Sequence, residues 1–389
     1  MEDRSKSLEA HYNWRGKIKM KARVPLSDKE ELALAYTPGV AEACLKIQED
    51  KEESFKLTRK WNTVPVITDG TAVLGLGDIG PEAGLPVMEG KAAIFKIFGN
   101  VDAYPLCIKS KDTEEIIQTI KLMSGSWGGI NLEDISAPRC FEIEKRLAEE
   151  LDIPVFHDDQ HGTAIVVGAA LINALKLVGK HIEKIRIAIN GAGAAGISIC
   201  KFLLALGAKD IIMCDRKGLI YEGALWLNPM QEEIAKVTNR RLRTGRLASA
   251  MEDADVFIGV SGPNCVTKEM VMSMNENAIM FTLANPVPEI DPKLAKEGGA
   301  LIIGTGSSEY PNQVNNALVF PGLFRGAIDA HAKRINMEMK IAAAYGIANC
   351  VNPEDLDYDY ILPYAYDKHA HNSVAKAVYK AALETEANL

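Results

Sequence analysis

From about residue 163 onward, short apolar runs alternate with helical patterns. This alternation constrains the fold more than any other feature, because a strand that rejoins its sheet in parallel needs a crossover, usually a helix. Lys184 to Asn190 alternates isoleucines like a strand, and Ile197 to Leu206 reads as an apolar helix ending at Gly207. A second strand follows at Ile211 to Cys214, with further strands predicted at Val256 to Val260, Ile279 to Leu283 and Leu301 to Ile303. Each of these three ends in loop formers: Ser261-Gly262-Pro263, Asn285-Pro286 and Gly304-Thr305-Gly306. Gly322 to Ala344 reads as one long helix and His371 to Ala382 as another. Up to about residue 160 the pattern is mixed, rich in Gly and Pro and poor in long amphipathic stretches. The reading is α/β with two domains: residues 1–160 a mixed α/β unit, and residues 161–389 a doubly wound parallel sheet with C-terminal helices. No flexible linker separates them, so they are expected to share a cleft.

Gly-x-Gly-x-x-Gly occurs twice. After Gly75-Leu-Gly77-Asp-Ile-Gly80 come Pro81, Gly84 and Pro86, which argue against a following helix, and without a helix N-terminus there are no aligned N–H groups to receive a pyrophosphate. Gly191-Ala192-Gly193-Ala194-Ala195-Gly196 has a strand before it and a helix after it, the context of a Rossmann-like dinucleotide site. There Gly191 permits the sharp turn, Gly193 lets backbone approach phosphate, and Gly196 lets helix and strand pack closely. Asp215, at the end of the next strand, is placed to accept from a ribose 2′-hydroxyl, which tilts the reading toward NAD; Arg216 and Lys217, directly after it, would suit the 2′-phosphate of NADP.

Carboxylates collect elsewhere. Glu133-Asp134 sits in an otherwise apolar segment, and His157-Asp158-Asp159-Gln160-His161-Gly162-Thr163 follows the strand-like Ile153 to Phe156. Acids at apolar strand ends are costly to bury without a cation or hydrogen bonds, and an all-oxygen set suits Mg²⁺ or Mn²⁺. Capping is the plainer alternative, with Asp134 leading into Ser136-Ala-Pro138 and Asp159 capping a helix from Thr163. The i, i+4 pair His157 and His161 lacks the glutamate of a zinc-protease motif. Lys91, among apolar neighbours, is a candidate base if desolvation near a cation frees its lone pair, and Tyr36, at a turn before a helix, is a candidate proton donor.

The whole-chain figures exclude other classes. Net charge is −8 with the basic residues scattered, which argues against nucleic acid or an anionic membrane surface as partner. No apolar run reaches the ~18 residues that span a bilayer, and Met1 to Lys6 opens acidic without a signal-peptide pattern. Seven cysteines without a Cys-x-x-Cys pair fit reduced thiols, so a cytoplasmic location is expected.

Taken together, Tyr36-Thr-Pro-Gly-Val-Ala, Thr68-Asp-Gly-Thr, Gly75-Leu-Gly-Asp-Ile-Gly, Gly90-Lys91, Asn131-Leu-Glu-Asp-Ile, His157-Asp-Asp-Gln-His-Gly-Thr, Gly191-Ala-Gly-Ala-Ala-Gly, Ala284-Asn285-Pro and Asn315-Asn316-Ala-Leu-Val-Phe-Pro-Gly resemble the malic enzymes, in family order and in the short bacterial and archaeal form. The resemblance implies oxidative decarboxylation of L-malate to pyruvate and CO₂, with NAD or NADP and Mg²⁺ or Mn²⁺. It implies Lys91 as general base, Tyr36 as general acid, Asp158 supporting the lysine, Glu133, Asp134 and Asp159 as metal ligands, and Asn285 and Asn316 as substrate contacts. Asn285 is also expected beside the cofactor, and a homodimer or homotetramer is expected. The arginine that holds malate in long eukaryotic forms has no counterpart in Phe95 to Asp102, leaving backbone N–H groups around Gly39 and the amides of Asn285 and Asn316 to hold the second carboxylate. A malolactic-type activity, an amino-acid dehydrogenase and a silent nucleotide-sensing protein are the competing readings.

Overall fold

The computed structural model describes residues 2–73 and 75–387. Two all-parallel sheets organise it. The first has four strands in the order β2-β1-β3-β4, where β1 is Thr63–Thr68, β2 Asp102–Cys107, β3 Ile130–Leu132 and β4 Val155–His157. The second has five in the order β6-β5-β7-β8-β9: β5 Arg186–Asn190, β6 Asp210–Cys214, β7 Val256–Gly259, β8 Ala278–Thr282 and β9 Ala300–Thr305. The five strands of the second sheet are those expected from alternation, within two residues at each end.

Each sheet reverses direction of growth once, between β1 and β3 in the first and between β5 and β7 in the second. At such a switch point the loops leaving the strand ends diverge and open a crevice. In the first sheet the segments entering that region are Asp69 after β1, Glu133-Asp134 after β3 and Asp158-Asp159 after β4. In the second they are Gly191 after β5 and Val260-Ser261 after β7.

The helix Asp158–Val178 leaves β4 and runs through the interior, with fourteen of its residues buried, from Asp158 to Leu175. By length and composition it is apolar enough to cross a membrane, but two-thirds of its most apolar window is covered by the rest of the protein, as in a core helix. It packs against the helices Ala194–Ala205 and Met337–Ala348. The helix Phe320–Asp329 in turn packs on Pro81–Gly99, joining the two sheets' helical layers. Phe95 meets Phe320 and Phe324 with ring centroids 4.6 and 5.3 Å apart, and Phe156 joins at 6.0 Å from Phe324.

Two expectations are corrected. The stretch read as one helix from Gly322 to Ala344 is two, Phe320–Asp329 and Met337–Ala348, broken where His331 takes a positive φ of 52°. The first glycine motif does open a helix, Pro81–Gly99. Pro81 occupies the first turn, where its missing N–H has no intrahelical partner to lose, and Pro86 is accommodated inside. Proline at a helix start is a signal for the helix rather than against it.

The N-terminal segment behaves differently from the rest. The helices Lys29–Ala35 and Val40–Glu49 bury no residue. Leu8, Tyr12, Trp14, Met20, Leu26 and Leu34 all lie in solvent. Lys17 ties the segment to the body, its backbone N–H donating to Glu89 at 3.1 Å and its ammonium to the Pro86 carbonyl at 2.7 Å.

Candidate active site

Lys91 projects from the middle of Pro81–Gly99 and is only 8 % exposed. Its ammonium pairs with Asp158, at the start of Asp158–Val178, and with Glu133 Oε2 at 2.7 Å. The ammonium also sits 4.4 Å from the centroid of the Phe320 ring, so its remaining face is aromatic rather than aqueous. Burial alone would drive the Lys91 proton off, but Asp158, Glu133 and Asp159 outweigh it and hold the ammonium above its ordinary range. Desolvation therefore does not by itself yield the neutral amine expected from sequence: with its carboxylates ionised, Lys91 is a cation.

The carboxylates show the complementary strain. Burial, with neighbouring acids, pushes Asp158 up to about 7 and Asp159 up to about 6, and it raises Glu133 as well. Three acids, Glu133, Asp158 and Asp159, act on one ammonium, an excess of negative charge that a further cation would balance. Oxygens of Glu133, Asp134 and Asp159 lie within 4.8 Å of one another. This three-carboxylate set, without nitrogen or sulfur, fits a hard divalent ion such as Mg²⁺ or Mn²⁺.

The capping alternative is not realised. The helix begins at Asp158, so Asp159 lies in its first turn, and the helix Arg139–Glu150 starts from Pro138 without a side-chain cap. Instead Asp159 Oδ2 accepts from the Asp134 N–H at 2.8 Å, and Asp134 takes a left-handed φ of 52° to bring that N–H round. Glu133 Oε2 also accepts from Asn131 at 2.9 Å. Among the described residues neither histidine belongs to this convergent set: His157 Nε2 lies 3.9 Å from Asp159 Oδ2, and His161 donates to Glu144 at 3.0 Å. Asn316, on the 3₁₀ turn Asn316–Leu318, stands beside Asp158 across Gly162. Gly162 makes room for both: a Cβ there would lie 1.9 Å from Asp158 Oδ1 and 3.2 Å from Asn316 Cβ.

At the second sheet's switch point, Gly191 takes φ 117° and presses on Val260, and a Cβ on Gly196 would lie 1.8 Å from the Gly191 carbonyl. Gly193 faces open space, which leaves its backbone accessible at the start of the helix that follows. Ala194 and Ala195 open the helix behind it, and the Ala192 carbonyl accepts from Gln231 at 3.3 Å. Asp215 Oδ1 is held by the N–H groups of Lys217 and Gly218 at 2.7 and 3.1 Å, while Arg216 is exposed beside it. Asn285 stands on the exposed loop after β8, its amide against Gly306 and its carbonyl against Gly75. The first glycine motif thus reaches across to the loop that carries Asn285.

The family model of the malic enzyme N-terminal domain matches residues 15–148, and that of the malic enzyme NAD-binding domain matches residues 160–383. The chain belongs to the malic enzyme family. It is 54 % identical over 386 residues to a bifunctional malic/malolactic enzyme of Bacillus subtilis, spanning 99 % of this chain and 94 % of that one. It is 53 % identical over 370 residues to an NAD-dependent malic enzyme of Geobacillus stearothermophilus, spanning 95 % and 77 % respectively. The crystal structure of the NAD-dependent malic enzyme of Thermotoga maritima superposes with a TM-score of 0.92 at 49 % identity, covering 96 % of this chain and 98 % of that one. That of Pyrococcus horikoshii superposes at 0.94 and 46 %, covering 99 % and 91 %.

Set against the expected malic enzyme site, two assignments do not assemble. Tyr36 caps the helix Lys29–Ala35 and is 68 % exposed, whereas Lys91 is buried. The N–H groups around Gly39 are spent locally, Gly39 on Ala33 and Val40 on Tyr36, both at 2.8 Å, so within one chain they do not hold a carboxylate. Sequence reasoning missed Asn131, Phe320 and Glu144. Asn131 and Phe320 stand inside quoted motifs; Glu144 lies on an amphipathic helix with nothing to distinguish it from a surface acid.

Proposed function

We propose that this chain oxidatively decarboxylates L-malate to pyruvate and CO₂ with NAD or NADP as hydride acceptor. The observation that carries the reading is the buried Lys91 held between Asp158 and Glu133 beside three convergent carboxylates. Glu133, Asp134 and Asp159 would hold Mg²⁺ or Mn²⁺, which supplies Lewis acidity toward a 2-hydroxy acid and its 2-keto product. Lys91 takes the C2 hydroxyl proton as hydride departs from C2, and Asp158 fixes the amine's direction. Lys91 can serve as base only once the charge of its partner carboxylates is taken up, which couples proton abstraction to a loaded site. Asn316, beside Asp158, and Asn285, on the loop after β8, are the substrate-contact candidates. Gly191 to Gly196 and Asp215 receive the dinucleotide, with Asp215 favouring NAD and the exposed Arg216 open to NADP.

Tyr36 is the proton donor to C3, and its exposure bears on assembly. The N-terminal segment leaves Trp14, Met20, Leu26 and Leu34 uncovered, and large apolar side chains left together in solvent mark an interaction surface. A second copy of the chain, in a homodimer or homotetramer, is the cover we assign to it, and docking of that segment is what would bring a tyrosine to a buried lysine. We divide the chain at residues 160 and 161, inside the first turn of the helix that leaves β4. A cytoplasmic location fits seven cysteines of which none is in a disulfide.

The name of the Bacillus subtilis relative favours one second reading, a malolactic activity that keeps the reduced cofactor bound and releases lactate. Steady-state assays with L-malate, each cofactor, and Mn²⁺ or EDTA decide between them. Free reduced nicotinamide and pyruvate, formed only with metal, are expected. Lactate without net cofactor reduction would replace the reading, and full activity in EDTA would overturn it.

A further inference from the structure

A cavity of about 110 Å³ lies behind the catalytic turn of Asp158–Val178, enclosed by that helix and by Arg139–Glu150, Ala194–Ala205 and Met337–Ala348. Its walls are mainly apolar, with Ile197 and Phe202 among them, and its polar groups are Gln160, His161, Ser198, Lys201 and Lys340. Gln160 is 2 % exposed, and its amide nitrogen, enclosed by protein, donates to nothing. Its carbonyl oxygen is already met by Ser198 Oγ at 3.5 Å. Lys340 has no carboxylate within salt-bridge distance among the described residues; burial pushes its ammonium down, and the charge of Glu144, beyond contact distance, offsets this only in part. The nearest acid, Glu144, is occupied: it accepts from His161 at 3.0 Å and from the His157 N–H at 2.9 Å. Lys201 is likewise answered, by Glu233 at 3.1 Å at the rim.

An enclosed amide nitrogen without a hydrogen-bond partner and a half-buried ammonium without a salt bridge thus line one small space. Each is costly to leave unmatched, and both are matched by one acceptor carrying a single negative charge. The apolar walls require the rest of that ligand to be small and non-polar. We propose that this cavity is a binding site for a small monocarboxylate, its oxygens on Lys340 and Gln160 and its short apolar end toward Ile197 and Phe202. It is separate from the malate site: Gln160 directly follows Asp159 but lines this cavity, whereas Asp158 faces Lys91.

The probe is trifluoroacetate, followed by ¹⁹F line broadening on the full-length protein without malate or dinucleotide. Broadening is expected with the unaltered protein and with Lys91→Ala, whose catalytic lysine is gone. Lys340→Met should abolish it, and Gln160→Leu should weaken the affinity by about tenfold, the worth of one charge-assisted hydrogen bond. Thermal unfolding gives the second readout, which does not depend on the probe. Lys340→Met removes an unmatched cation, so its melting temperature without anion should equal or exceed that of the parent, and trifluoroacetate should raise the parent's melting temperature alone. No broadening with the parent, or broadening that survives Lys340→Met, overturns the site. Loss of broadening in Lys91→Ala would assign the anion to the malate site instead and equally overturn it.

Discussion

Replacing Gly162 by alanine tests how tightly the lysine's support is built. The new Cβ would lie 1.9 Å from Asp158 Oδ1, 2.8 Å from its Cγ and 3.2 Å from Asn316 Cβ. Restoring an ordinary contact moves the carboxylate by about 1.5 Å, because its helix backbone cannot yield as a side chain can. Overpacking of this kind costs ~1–3 kcal/mol. Alanine in place of glycine inside a helix returns ~1 kcal/mol, so the net loss of stability should be roughly 0–2 kcal/mol, and the protein should fold. Activity should suffer far more. An ångström-scale displacement of the group that aims a base costs about 10²-fold in kcat. The assay pairs malate-dependent cofactor reduction with thermal unfolding, on Gly162→Ala, Asp158→Ala and the double variant. Removing the Asp158 carboxylate removes the clash, so the two substitutions should couple by about 1–3 kcal/mol in stability. Additive stabilities, or parental kcat in Gly162→Ala, would refute the claim that Gly162 exists to seat Asp158.

Three further outcomes are expected. Lys91→Ala should abolish malate oxidation while retaining some metal-dependent decarboxylation of added oxaloacetate; equal loss of both activities would remove Lys91 as the specific oxidation base. Asp215→Ala should weaken NAD more than NADP, by about tenfold for one lost charge-assisted hydrogen-bonding group, and the reverse preference would make Arg216 the dominant determinant. Without metal, Asp158 at about 7 and Asp159 at about 6 bind protons in the folded state that they do not hold above about pH 4 when unfolded. Stability of the metal-free protein should therefore fall as pH rises from about 4 to about 7, since the folded state binds more protons across that window. Mn²⁺ should restore stability at the upper end, and a metal-free stability that rises with pH would show that these carboxylates are not strained.

Much of this architecture was legible from residue order. The β5 to β9 strands announced themselves through isoleucine alternation and apolar runs closed by turn formers. The Gly191 motif was readable because strand, glycine spacing, helix and acid stand within one local unit, and local units keep their meaning when taken out of context. The Gly322 to Ala344 stretch misled for the opposite reason: its apolar spacing continues through residues 330–336, but His331 turns the chain there to wrap a second helix onto Asp158–Val178. Pro81 misled because a proline was weighed by type rather than by position.

Sequence alone named candidate residues for the chemistry and a parallel sheet from about residue 163 onward, because these follow from residue type and short-range period; that the mixed first unit also holds an all-parallel sheet emerged only in the fold. Only tertiary structure decided the protonation of Lys91. Its charge depends on Glu133 and Asp158, 42 and 67 positions away in the chain, and on the balance between burial and pairing that their approach creates. The same holds for Tyr36: its motif names the residue, but only the fold leaves it on an uncovered surface. Electrostatic energies and surface exposure are set by distances through space, which a linear order does not contain.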